Sequence, residues 1–252
     1  MRCSRILPIA AALGACTLPL EEYDPFVVPA ERVYAAIEAI VLAPVVPPPD
    51  VQVSAAAAAR IDSVIEAELA DAGFRVVPAV EYGRIWDRIL RQMGGFFDPI
   101  TGERDEQKFA AARRELLNEL QGRFDTQVVM YADLQLVDAF VENGRAEWDG
   151  ITQRIGRNNT VDVRFRRSFE REEFGGRDDG IVSAVSLLLA LDGADGAELY
   201  SNFGGLEVVS VPPDLILDGP FVLVAAAERV ALAVGLALGP LLRGRRARAR
   251  RS

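Results

Sequence analysis

Few side chains in this sequence could do covalent or acid–base chemistry, and their types exclude most mechanisms. The 252 residues contain no histidine. A Ser-His-Asp or Cys-His arrangement is therefore ruled out, and zinc loses its usual ligand set. A Ser/Lys dyad would need Lys108, which sits among Glu103, Asp105 and Glu106 at the start of a helix. The glycines show no phosphate-loop spacing, and Gly94-Gly95 reads as a helix end. Paired carboxylates stay open in a chain with 37 acidic residues. Glu147 and Asp149 flank Trp148 and, on one continuous strand, would share a face. The stretches "DPITGERDE" (98–106) and "LDGADG" (191–196) have the composition of calcium loops but not the EF-hand spacing, and read as plain turns. No catalytic, cofactor or metal residue is assigned.

The residue with the clearest chemistry is Cys16. It closes "ILPIAAALGAC" (6–16), an apolar run preceded by Arg2 and Arg5 and free of acidic residues. The run from Ile6 to Ala15 is about half of the ~20 residues needed to cross a bilayer as a helix. Basic, then apolar, then small residues is the layout of a secretory signal. Leu13-Gly14-Ala15-Cys16 resembles the bacterial lipobox, in which the cysteine thiol takes a diacylglycerol before the peptidase cuts in front of it. Gly-Ala replaces the commoner Ala-Gly order. An ordinary signal with an incidental cysteine, or a buried N-terminal helix, are the competing readings. The expectation is lipidation at Cys16, with palmitate-type acyl chains as the membrane anchor. Each buried methylene contributes ~0.8 kcal/mol, so several chains make such anchoring permanent in practice. Cys3 lies inside the signal, so the mature chain would keep one cysteine and form no internal disulfide. Thr17 rather than Asp follows the cysteine, which by analogy with enterobacterial sorting directs the protein to the outer membrane.

Composition places the remainder among folded domains. Half of the residues are hydrophobic and 26% are charged. The formal charge of −9 is uneven along the chain. Setting aside Arg2, Arg5 and the six arginines of "RGRRARARRS" (243–252) leaves 20 basic against 37 acidic residues, a balance of −17. An acidic body argues against a nucleic-acid partner. The arginine tail has two readings, contact with anionic headgroups or wall carboxylates, or a solvated end.

The elements alternate early and become strands later. "TLPLEEYDPFVVP" (17–29) has three prolines and is expected to be an extended tether reaching ~40 Å. A strand is expected over 37–46, then a helix from the Ser54 N-cap to the Gly73 stop, with Ile61, Ile65 and Leu69 at helical spacing. A short strand (74–78) and two helices (81–93 and 106–124) follow. Strands are expected over 126–141, 145–155, 160–170, 181–192 and 197–209, with Asn143-Gly144 as a hairpin turn. The last element (220–242) is a helix buried against the sheet, since Glu228, Arg229 and Gly235 disfavour a membrane span. In "RAEWDGITQ", alternation puts Ala146, Trp148 and Gly150 on one face, so Trp148 is expected to fill space against the 81–93 helix, with Asp149-Gly150 at a bend or bulge.

This order, β-α-β-α-α-β-β-β-β-α, defines an α/β fold with a mixed sheet packed against helices. It is a single domain (31–242) after a signal peptide (1–15), an acylated Pro-rich tether (16–30) and before the arginine tail (243–252). The chain resembles bacterial envelope lipoproteins of the CsgG and LpoB kind. The residues carrying the likeness are "GFRVVP" (73–78) with Tyr82 and Trp86 behind it, "WDG" (148–150), "VSLLLALDGADGAELYSNFGG" (185–205), and "LLRG" (241–244). The resemblance implies a non-enzymatic accessory or assembly factor that binds other envelope proteins. The alternatives are a CsgG-like oligomeric secretion-pore subunit, hence a homo-oligomer, or a periplasmic hydrolase using carboxylates. A pore strand needs one apolar face over ~9–11 residues. The best candidate, 160–170, carries Arg164, Arg166, Arg167 and Glu170.

Overall fold

The computed structural model describes residues 23–98, 100–155, 180–209 and 221–249. Its elements are α1 (Ala30–Ala36), β1 (Ala39–Leu42), β2 (Val51–Val53), α2 (Ala55–Asp71), β3 (Arg75–Val77), α3 (Ala79–Met93) and α4 (Glu106–Phe124). Then come β4 (Val129–Glu142), β5 (Arg145–Trp148), β6 (Ile151–Arg154), β7 (Gly180–Asp192), β8 (Glu198–Val208), β9 (Phe221–Leu223) and α5 (Ala227–Ala249). The mixed α/β architecture expected from the sequence is present as one curled sheet between two helical layers. Residues 1–22 and the expected 160–170 strand lie outside the described residues.

Local chemistry explains most boundaries. The Ser54 hydroxyl accepts from the Ala57 N–H at 3.1 Å and caps α2. The Asp105 carboxylate does the same for α4 from Lys108 at 3.0 Å. Gly94, in the left-handed region at φ 69°, ends α3. The three strands β3, β1 and β4 run parallel, and β4, β7 and β8 continue antiparallel. β4 is long enough to have two partners on one flank, β1 along its first half and β5 along its second.

Strand alternation divides the core. On β4, Met130, Ala132 and Leu134 face a cluster with Ile61, Ile65 and Leu69 of α2 and Val234, Leu238 and Leu241 of α5. Val129 and Tyr131 face α3 and α4, against Ile85, Ile89, Leu116 and Leu120. Trp86 of α3 packs edge-on to Phe109 at 6.1 Å and against Phe96 at 5.4 Å, which ties α3 to α4.

The expected 145–155 strand is two strands. Trp148 pairs with Ile151, so Asp149-Gly150 is a two-residue hairpin turn. Both residues have positive φ (33° and 80°), as do Asn143 and Gly144 (52° and 72°). These are consecutive type I′ turns, whose twist matches the flanking strands. The hairpin curls back toward β8: the Gly205 N–H donates to the Asp149 carbonyl and the Val208 N–H to Gln153 Oε1, each at 3.0 Å.

The tether is engaged from Tyr23 onward. The Val27 N–H donates to Leu199 at 3.1 Å and the Ser201 N–H to Pro25 at 2.9 Å, an antiparallel pairing with β8 centred on Phe26 and Tyr200. The free flank of β8 is thus covered by this segment at one end and by the β5–β6 hairpin at the other, which protects it from edge pairing.

Two further departures concern α5. Its expected first residues form β9, parallel to β2, and the helix continues to Ala249 rather than ending at Leu242. The helix lies so close to β8 that a Cβ at Gly204 would overlap the Ala233 carbonyl. Gly204→Ala should therefore destabilise the fold by at least ~1–3 kcal/mol, the cost of forcing atoms into a packed core. Gly122→Ala, on the open face of α4 with nothing within 4 Å, should instead stabilise by ~0.4–1 kcal/mol. Denaturant melts of the two variants check this pair, and equal effects would contradict it.

Candidate functional site

Cys16 lies outside the described residues, so its surroundings are not part of this geometry. The other chemically suggestive stretches can be placed.

Trp148 is 7% exposed, but its neighbours differ from those expected. It belongs to a small core with Ala139, Ala146, Ile151, Val182, Ala184 and Val208, inside the curl of the hairpin and remote from the α3 cluster. Ile151, expected on the opposite face, shares the Trp148 face because the chain reverses between them. The Trp148 Nε1–H donates to the Val185 carbonyl at 3.4 Å. The sheet register slips next to that carbonyl, between Val185 and Ser186, so the indole meets the backbone at a bulge. The Asp149 carboxylate accepts from the buried Ser186 hydroxyl, while Glu147 accepts from the Thr152 hydroxyl at 3.5 Å. The two carboxylates do not form a pair.

The 98–106 stretch is a turn. Asp98 Oδ1 accepts from the Ile100 and Thr101 N–H groups at 2.7 and 2.9 Å, and these bonds hold its carboxyl below the usual pKa. At the other loop, Asp195 Oδ1 accepts from the Ala197 N–H at 3.1 Å. Among the described residues no three acidic or cysteine side chains are grouped as metal ligands.

A polar bridge that the sequence did not signal joins α4 to the sheet. Arg113 Nη2 contacts Asp192 Oδ2 at 2.6 Å. Burial raises the Asp192 pKa, and the Arg113 guanidinium offsets part of that rise. Tyr131 and Tyr82 lie against the same group, both raised chiefly by burial. An open cleft of about 550 Å³ lies beside it, lined by Gln107, Arg113, Arg114, Leu117, Asp195 and Gly196. The arginine is already committed to its carboxylate, so the bridge serves to seat α4.

Asp62 on α2 is the most perturbed carboxyl. Its Oδ1 accepts from the Val45 N–H at 3.0 Å, yet burial, with a smaller push from Glu66, lifts its pKa to about 6.

The exposed apolar residues are more informative. Phe140 is 68% exposed and Leu136 is 36% exposed, on one face of β4. Ile181 of β7 stands directly opposite Phe140. This strand half extends past the helices that cover Met130 to Leu134. The signal was present in "LQLVDAFV" (134–141), which is apolar on both faces although helices cover only part of its length.

Comparison with protein-family models, with curated proteins and with solved structures finds no match to this chain.

Two predictions follow from these placements. The native state holds the Asp62 proton more tightly than the unfolded chain does, because the folded pKa lies above 3.8. Its stabilising effect is therefore fullest at low pH and is lost as pH rises through about 6. Asp62→Asn keeps the acceptor for Val45 and removes the ionisation, so wild type should lose stability relative to this variant across that window. Parallel pH profiles would contradict the assignment. Trp148→Ala should cost ~3–5 kcal/mol, a core-aromatic value. Asp149→Asn should change little, because Asn tolerates positive φ and can still accept from Ser186. A near-neutral Trp148→Ala in the same melts would overturn the core reading.

Proposed function

We propose that this chain is an outer-membrane lipoprotein, anchored through acylated Cys16 and facing the periplasm. Its α/β domain acts as a non-enzymatic accessory or assembly factor in a cell-envelope complex. The "LGAC" motif behind a short basic-apolar leader supports the anchoring. The resemblance of "GFRVVP", "WDG" and "YSNFGG" to CsgG- and LpoB-like lipoproteins supports the envelope role. The observation that carries a binding function is the apolar face on which Phe140 and Leu136 are exposed, with half-buried Ile181 opposite Phe140, and over which no helix among the described residues is seated. A large aromatic held out on a rigid strand gives a partner a substantial area to bury. The Arg113–Asp192 bridge, the Asp149–Ser186 contact and the Asp62–Val45 bond support the non-enzymatic reading, because each holds one element to another.

The two halves of the proposal are tested separately. Cys16→Ser should abolish palmitate labelling and block cleavage of the precursor, read by gel mobility and fatty-acid incorporation. A photo-crosslinking residue at position 140, in acylated protein in native membranes, should capture an envelope protein. The same group at Arg84, exposed on α3, should capture far less. Adducts of the chain with itself in a ladder would favour the pore-subunit alternative. Equal yields from both positions would contradict a docking face at Phe140.

A further inference from the structure

The geometry points to an interaction surface for an anionic lipid bilayer: the arginine-bearing end of α5, held against the membrane by the docked N-terminal segment. This rests on the acylation of Cys16 proposed above and adds an orientation to it.

The first observation is the number of residues between the proposed anchor and the first docked residue. Pairing with β8 begins at Tyr23, whose hydroxyl donates to the Ser201 carbonyl at 2.7 Å. Phe26 then packs edge-on to Tyr200 at 5.1 Å and to Tyr34 at 5.9 Å. Between Cys16 and Tyr23 only seven peptide units remain, which span at most ~25 Å even fully extended. An anchored domain would therefore stay against the bilayer with the β8 side toward it.

The second observation is what occupies that side. Asn202, next to Ser201, bonds the Leu236 carbonyl at 3.2 Å, so the chain enters the fold beside the middle of α5. Arg243 is ~10 Å further along the helix axis. Tyr34 ties this end of α5 to the N-terminal segment: its hydroxyl donates to the Pro240 carbonyl at 3.3 Å, and Gly244 fits closely against its ring.

The third is charge. Arg243, Arg245 and Arg246 lie within about one turn of one another near a helix C-terminus, where the backbone dipole favours cations. Arg245 is steadied over the Phe74 ring at 4.9 Å, and Arg246 reaches Glu68 only at 3.8 Å with both side chains at least 40% exposed. Residues 243–252 hold six of the chain's arginines on a body that is otherwise strongly acidic. On such a body the helix end is the region an anionic surface would attract, while the acidic remainder would be repelled.

The test uses the acylated full chain, whose one mature cysteine is consumed by the lipid. A fluorophore is attached at Ala247→Cys, near the arginines, or at Ile100→Cys, which is 92% exposed on the far helical layer. Energy transfer to a headgroup-labelled lipid is then measured in vesicles with and without anionic lipid. The expected result is several-fold greater transfer from position 247 than from position 100 in anionic vesicles. That difference should shrink in zwitterionic vesicles, in high salt, and in the Arg243→Gln/Arg246→Gln variant. Equal transfer from the two positions, or transfer from 247 that ignores lipid charge and the variant, overturns the proposal. A chain that floats with neither kind of vesicle overturns the acylation reading, and this orientation with it.

Discussion

The seating of α5 on β8 is the contact on which the rest of the molecule depends. Pro240 lies inside the helix and has no N–H, so the Leu236 carbonyl four residues earlier loses its helical donor. Left bare in a core, that group would cost about 1–3 kcal/mol. Asn202 Nδ2 donates to it, and to the Ala237 carbonyl, at 3.2 Å. The buried Tyr200 hydroxyl donates to Ala237 as well. These β8 side chains stand inside the hydrogen-bond ladder of the helix, and that requires the backbones to be close. Gly204 permits the approach.

Much of the architecture follows from this fixed pair. With α5 in place, α2 packs beside it, and Arg60 of α2 reaches the Ala225 carbonyl at 2.8 Å just ahead of the helix. Glu207 of β8 accepts from the Val224 and Ala225 N–H groups at 2.7 and 3.3 Å, which turns the chain from β9 into α5. Tyr200 also presents its ring to Phe26, so the strand that anchors the helix also receives the N-terminal segment. Because β8 pairs with β7 and β7 with β4, the docked N-terminal segment and the Phe140 end of β4 are held on one continuous sheet.

The sequence was most informative where one local signal decides an element. Ser54, the Ile61-Ile65-Leu69 repeat and Gly73 defined α2, and Asn143-Gly144 defined a hairpin. Asp149-Gly150 carried the same turn signal, but the apolar alternation across it suggested one strand and put Trp148 against the wrong helix. What stayed hidden depends on contacts far apart in sequence. Nothing local distinguishes a proline-rich tether from a segment docked on β8, because Phe26 finds Tyr200 only after folding. The Arg113–Asp192 bridge spans helix and sheet in the same way. The arginine tail left two readings open because only its charge was visible, whereas the continuation of α5 to Ala249 rests on Tyr34, Phe74 and Glu68.

A double-mutant cycle between Asn202 and Pro240 tests the seating most directly. Asn202→Ala in the native background should cost about 1–3 kcal/mol in denaturant unfolding, since it leaves the Leu236 carbonyl without a donor. In a Pro240→Ala background the restored helical N–H can satisfy that carbonyl, and the same substitution should cost about 1 kcal/mol less. Strict additivity of the two changes would contradict the claim that the β8 side chains replace the hydrogen bond that proline removes.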